Sequence, residues 1–144
     1  MIRKIYLSGR IDGLSYEAAT AARKEAKQLL AKVGIDALDP MRGKDSLKNL
    51  EVIDARTHTC EMQEIVTRDL ADIRAADAVL VLTGDEPSWG TGMEAGYALA
   101  IGKPLFVIST KTARYGWLHF HAVKVYPKIE EMVRYISVFY NALT

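Results

Sequence analysis

Cysteine is nearly absent from this chain: Cys60 is the single one among 144 residues. One thiol cannot form an internal disulfide or a multi-cysteine metal cluster, so the composition suits a reducing cytoplasm. His58 stands two residues before it, but without a matching second pair these two side chains make only a weak zinc signal, and no metal is expected. No excess of either charge sign is present, with 19 basic residues against 18 acidic ones. A long nucleic acid would call for a basic stripe, so the expected partner is small. Apolar runs of membrane-spanning length are also missing, and Met1-Ile2-Arg3-Lys4 leads straight into a strand-like segment without the pattern of a signal peptide. The expectation is a cytoplasmic protein with no membrane contact. Hydrophobic residues at 49% are enough to build a globular core, and the length suits one domain over 1–144.

What is present alternates between two periodicities. Ile2 to Ser8 reads as a buried strand stopped at Gly9. Ser15 to Val33 repeats Ala19, Ala22, Ala26, Leu29 and Val33 at helical steps and ends at Gly34. Ile35 to Leu38 gives a brief second strand, ended by Asp39-Pro40, and a polar loop follows. Thr59 to Ala75 is helical through Met62, Ile65, Val66, Leu70 and Ile73. Ala78 to Thr83 is an unbroken apolar strand, and a third helix starts near Gly90-Thr91-Gly92 and runs to Ile101, where Gly102 and Pro104 end it. Leu105 to Ser109 and Ala122 to Tyr126 are further strands. Lys128 to Leu143 closes the chain, with Ile129, Met132, Val133, Ile136 and Phe139 turned inward.

Apolar strands alternating with helices imply a five-stranded parallel sheet with helices on both faces, a Rossmann-like α/β fold. Ligands of such sheets bind beyond the carboxyl ends of the strands. Tyr6 to Gly13, the loop after Leu38, and Gly84 to Glu94 should therefore meet.

The last of these segments carries the most chemistry. Gly90 and Gly92 allow close backbone approach, and the helix start offers free amides and a positive dipole end for an anion or a sugar. Glu94, placed in about the first helical turn, is expected to be ionised with a lowered pKa. It reads either as a nucleophile or as a capping glutamate reaching back to Thr91. Asp69 projects into the middle of an apolar arc, so it is either bonded to structure or faces a polar pocket. Asp72, at the edge of that arc, is expected in solvent or paired with Arg68 or Arg74. Two carboxylates at one site suit glycosidic chemistry, one attacking the sugar carbon and another group managing protons. Tyr6 either holds the nucleophile or is a core aromatic. Arg10 is an anion contact or a surface residue, and Ser88 a phosphate contact or an ordinary turn residue. The SGRIDG turn, with Gly9 and Arg10, lacks the spacing of a dinucleotide or Walker loop and is read as a polar turn near the ligand.

IYLSG at the start, RDLADIRAADAVLVL in the middle and SWGTGMEAGYALAIGKP after it resemble the nucleoside 2-deoxyribosyltransferase family, including relatives that hydrolyse nucleoside 5′-monophosphates. The resemblance spans Ile2 to Ile108. It implies a flavodoxin-like fold, Glu94 as nucleophile, Asp69 as the acid that binds sugar hydroxyls or assists proton transfer, and Tyr6 as the strand-one tyrosine. It also implies a homodimer or higher homo-oligomer whose neighbouring subunit helps complete the pocket. Six residues before the nucleophile the transferases typically carry an acid for the free 5′-hydroxyl, whereas the monophosphate hydrolases resemble this chain in having serine, here Ser88. A carboxylate repels phosphate and a hydroxyl beside helix-terminal amides accepts it. Asp12 points the other way, standing where a hydrolase relative tends to have a basic phosphate contact.

The expected activity is therefore hydrolysis of a (2′-deoxy)nucleoside 5′-monophosphate through a glycosyl-Glu94 ester, without a cofactor. The alternatives are base exchange by a deoxyribosyltransferase and a non-catalytic nucleotide-binding or sensor module. A flavin-binding carrier is disfavoured because the first loop lacks a dense Ser/Thr/Gly phosphate cradle. Base contacts within 41–58 and 110–121 stay unassigned; Arg114, Tyr115, Trp117, His119 and His121 could close a pocket or a subunit contact. Met41 to Asp54 is placed to act as a lid.

Overall fold

The computed structural model describes residues 1–44, 48, 51–54, 59–84, 86–110 and 116–144, without the side chains of 59–61. The readings attached to His58, the Cys60 thiol, Arg114 and Tyr115, and much of the expected lid, lie outside the described residues. Strands β1 (Lys4–Gly9), β2 (Asp36–Leu38), β3 (Ala78–Leu82), β4 (Leu105–Ile108) and β5 (Lys124–Tyr126) form one sheet in the order β2-β1-β3-β4-β5. Every pairing is parallel. This is the flavodoxin-like order, and its direction reverses between β1 and β3, where the crevice for a ligand opens.

Helices α1 (Tyr16–Lys32), α2 (Thr59–Ala75), α3 (Trp89–Ala100), α4 (Gly116–His121) and α5 (Ile129–Arg134) cover the sheet. Alternation along β1 sorts the two faces. Ile5 and Leu7 pack with Ala26 and Leu30 of α1 and Met132 and Val133 of α5. Tyr6 points the other way, into a core shared with Ile73 of α2 and Ala95 and Ala98 of α3. Ser8, two residues on from Tyr6, lies on that second face as well and is fully buried.

Helix α1 begins at an N-cap, Ser15, whose side chain accepts from the Ala18 amide, and Gly34 past its end takes a φ of +74°. Its inner stripe is Ala19, Arg23, Ala26 and Leu30. Ala22 and Val33, expected inside, are exposed because the true stripe runs one position later and takes in an arginine. Val66 of α2 is likewise 47% exposed, at the border of that helix's arc.

The closing segment departs further from expectation. After α5 the backbone runs as a π-helix over Tyr135–Tyr140, then a last turn over Asn141–Leu143. The wider turn rotates Phe139 outward, to 54% exposure, and sets the Tyr140 ring edge-on against Phe106 with centroids 5.2 Å apart. Helix α4, lying in a stretch to which the sequence reading gave no element, packs against α3 and β4.

Candidate active site

Glu94 sits on the sixth residue of α3, one turn deeper than expected. The helix is capped by Ser88, whose Oγ accepts from the Thr91 amide at 3.4 Å, so the cap is not Thr91 and no Thr91–Glu94 capping box forms. From the second turn the Glu94 side chain reaches back to the sheet. Tyr6 Oη donates to Glu94 Oε1 at 2.8 Å, and Ser8 Oγ donates to Oε2. Two residues of one strand, both on the face that α3 covers, hold both oxygens of one carboxylate.

Burial pushes the Glu94 pKa up, against the two hydroxyls that pull it down; nearby Asp69 adds to the rise. The expected lowering by the helix dipole is thus overturned, since the group lies beyond the first turn, where the dipole acts, and is desolvated. Tyr6, fully buried beside this carboxylate, has its pKa raised far above the ordinary range by burial and by Glu94. It remains a protonated donor.

Asp69 is 7% exposed on α2, as its place in the apolar arc predicted. Arg68 Nη2 lies 3.6 Å from its Oδ1, too long for a hydrogen bond, and Oδ1 has no hydrogen-bond partner among the described residues. Burial raises its pKa while Lys44 and Arg68 oppose the rise. Asp72 pairs at 2.6 Å with Arg42 from the loop after β2, not with Arg68 or Arg74. Arg68 is instead committed to the Pro40 and Arg42 carbonyls, and Arg74 to the Tyr97 hydroxyl.

A cavity of about 650 Å³ opens above Glu94 and Asp69. It brings together the three segments expected to meet, through Gly9 and Asp12, through Gly43 and Lys44, and through Ser88, Gly90, Thr91 and Glu94, with α2 as a further wall. Thr91 Oγ1 is buried there without a partner among the described residues. Gly9 is closely packed: a Cβ there would meet the Leu82 carbonyl at 3.1 Å and Arg23 Nη2 at 3.2 Å, so a larger residue would have to displace its neighbours by a few tenths of an ångström. Two expected contacts lie elsewhere. Arg10 folds back on its own loop, Nε donating to the Asp12 carbonyl at 2.9 Å. Gly92 faces a second cavity, of about 400 Å³, which Trp117 and His121 of α4 also line.

The sequence reading missed Arg23 and Lys44 and took Ser8 only as part of a polar turn. Arg23, 3% exposed, donates from α1 to the Gly9, Arg10 and Ala19 carbonyls, and its Nε lies 3.9 Å from Asp39 Oδ1. It ties the loop after β1 to the end of β2 beneath the cavity. A charged residue inside an apolar stripe was the signal for it, as it was for Asp69.

The comparisons agree with this architecture. The nucleoside 2-deoxyribosyltransferase family profile matches residues 5–130. A 2-deoxyribosyltransferase from Bacillus psychrosaccharolyticus superposes with a TM-score of 0.68 at 21% identity, over 92% of this chain and 91% of its own. The solution structure of BlsM does so with 0.68 at 22%, over 94% and 90%. The CMP N-glycosidase BcmB of Clostridium botulinum gives 0.53 at 17%, over 94% and 99%. At these identities the structural likeness is one of fold. Among curated protein sequences none matches the chain. The family profile covers most of the residues from β1 through the start of α5, including the Glu94 segment, and the chain belongs to the nucleoside 2-deoxyribosyltransferase family.

Proposed function

We propose that the protein hydrolyses the N-glycosidic bond of a (2′-deoxy)nucleoside 5′-monophosphate, with Glu94 as nucleophile. The observation that carries this reading is the grip of Tyr6 and Ser8 on the two Glu94 oxygens, which aims a carboxylate into a cavity large enough for a nucleotide. A Glu94 oxygen attacks C1′, the C1′–N bond breaks, and its electron pair leaves with the base. Asp69, the second buried carboxyl group lining the cavity and one without a hydrogen bond to its Oδ1 among the described residues, gives the base its proton and then takes one from the water that opens the glycosyl ester. No cofactor enters this scheme.

Ser88 favours the phosphate. Its Oγ caps α3 as an acceptor, so the hydroxyl hydrogen can be donated to a phosphate oxygen beside the unpaired amides of the first turn. Gly90 leaves that approach open. Base exchange on an unphosphorylated 2′-deoxynucleoside is the second reading, and Asp12 at the cavity rim favours it, since its charge opposes a phosphate.

A homo-oligomer is also part of the proposal. Trp89, Met93, Trp117 and Phe120 of α3 and α4 are 73–92% exposed, an apolar surface that a second subunit would cover. No helix among the described residues is long and apolar enough to cross a membrane, and the proposed location is the cytoplasm.

Base release from ribo- and deoxyribonucleosides and their 5′-monophosphates, followed with and without a second free base, tests the assignment. Release from monophosphates alone supports the hydrolase. Exchange that needs both an unphosphorylated deoxynucleoside and an acceptor base means the transferase. Tight binding with no release means a nucleotide-binding module.

A further inference from the structure

The chain from Asp39 to Lys44 is fastened at almost every residue. Asp39 accepts from the Met41 amide at 2.9 Å and faces Arg23 and Lys27. Pro40 and Arg42 carbonyls accept from Arg68, the Arg42 guanidinium pairs with Asp72, and the Met41 side chain is buried against Ala19 and Ile53. Gly43 then turns the chain through a φ of +74°. The residue delivered by this turn is Lys44, 8% exposed and lining the cavity.

A lysine so buried ordinarily has an acceptor. The Lys44 side chain opens instead on the cavity: among the described residues no carboxylate stands at ion-pair distance from its ammonium, although the fields of Asp69 and Glu94 reach it. Asp69 Oδ1, in the same wall, is without a hydrogen-bond partner among the described residues. A donor and a carboxyl group thus line one cavity, open to a ligand.

Position along the cavity says which part of the ligand. On the reading proposed above, the 5′ end of the sugar lies at Ser88 and the start of α3, with C1′ over Glu94. The base then extends away from Ser88, towards α2 and the loop after β2. We infer that Lys44 is a catalytic residue for base departure, its ammonium donating a hydrogen bond to a ring nitrogen or carbonyl oxygen of the nucleobase as the C1′–N bond breaks. The electron pair of that bond moves onto the base, Asp69 supplies the proton, and Lys44 stabilises the charge before the proton arrives. The inference rests on the glycosidase assignment.

The test uses substrate pairs differing only in how readily the base leaves: 2′-deoxyguanosine 5′-monophosphate and its N7-methyl derivative, and 2′-deoxyuridine 5′-monophosphate and its 5-fluoro derivative. The N7-methylated base departs as a neutral molecule and needs little help. Lys44→Met should lower kcat about 100-fold on an unmodified base, within the usual range for a proton-managing group. The loss should shrink to a few-fold on the activated partner, and Lys44→Arg should restore part of the rate. Equal losses on both members of a pair would overturn the inference and leave Lys44 a structural residue. A rise in KM confined to phosphorylated substrates would overturn it in favour of a phosphate contact. Wild-type protein that releases no base from any substrate would sink the glycosidase reading itself, a result separable from either.

Discussion

Tyr6 Oη stands 2.8 Å from Glu94 Oε1, a hydrogen bond between residues 88 positions apart that joins the first strand to the third helix. Ser8 completes the grip from the same face of β1. The pair fixes the direction of the carboxylate and favours its charged form, while burial opposes that charge. The two hydroxyls thus orient a carboxylate that burial leaves incompletely solvated, an environment that suits a nucleophile in its ionised form.

Glu94→Gln is expected to lower base release at least ~10³-fold by removing the attacking oxygen. Its stability should move the other way. Because the folded pKa lies above the ordinary 4.5, the native state holds the proton more tightly than the unfolded chain, and stability falls as pH rises from there through the folded pKa. A neutral glutamine escapes this loss. The variant should melt higher than wild type near pH 8, with the difference shrinking below pH ~4.5; thermal melts across that range measure it.

Tyr6→Phe removes a donor to the ionised carboxylate. Hydrogen bonds to charged groups are worth roughly 1.5–3 kcal/mol, so kcat/KM should fall about 10- to 100-fold. The acid limb of the pH–rate profile should also move to higher pH, because the charged form of Glu94 loses support. Both limbs belong to the coupled Glu94–Asp69 pair, and the profile gives its macroscopic values. An unmoved acid limb would mean that Tyr6 only packs.

Ser88→Asp separates the two substrate readings. Aspartate is as good an N-cap as serine, so α3 should keep its start. Its charge would face the bound phosphate, and kcat/KM for monophosphates should fall at least ~10-fold relative to the matching nucleosides. A parallel change in both substrate types would separate Ser88 from phosphate recognition.

Arg23→Met should cost about 3 kcal/mol, as expected when one partner of a buried ion pair is removed. Lost with it are the donors to the Gly9, Arg10 and Ala19 carbonyls. The melting temperature should drop roughly 10 °C. Activity in what remains folded should fall as well, since the loop after β1 borders the cavity.

The order of strands and helices was legible because each element carries its own period and its own stops, as at Gly34 and Gly102. Asp69 was legible because a carboxylate in an apolar arc demands an explanation wherever it occurs. Arg23 carries the same signal, a charged side chain within the buried stripe of α1, but Ala22 beside it fits the helical period equally well. The π-helix over Tyr135–Tyr140 could not be read, since its sequence fits an ordinary helical period.

Local periodicity and chain direction account for the alternation of β and α, the parallel sheet it implies, and the segments that crowd the carboxyl edge of the strands. Tertiary structure alone decided how those segments use their side chains. The Glu94 pKa reversed direction because desolvation depends on what surrounds a group and not on its place in a helix. Asp72 chose Arg42 over its helical neighbours, and Lys44 was delivered to the cavity by a turn fastened from α1 and α2. Pairings between residues distant in the chain follow from packing, and no local pattern encodes them.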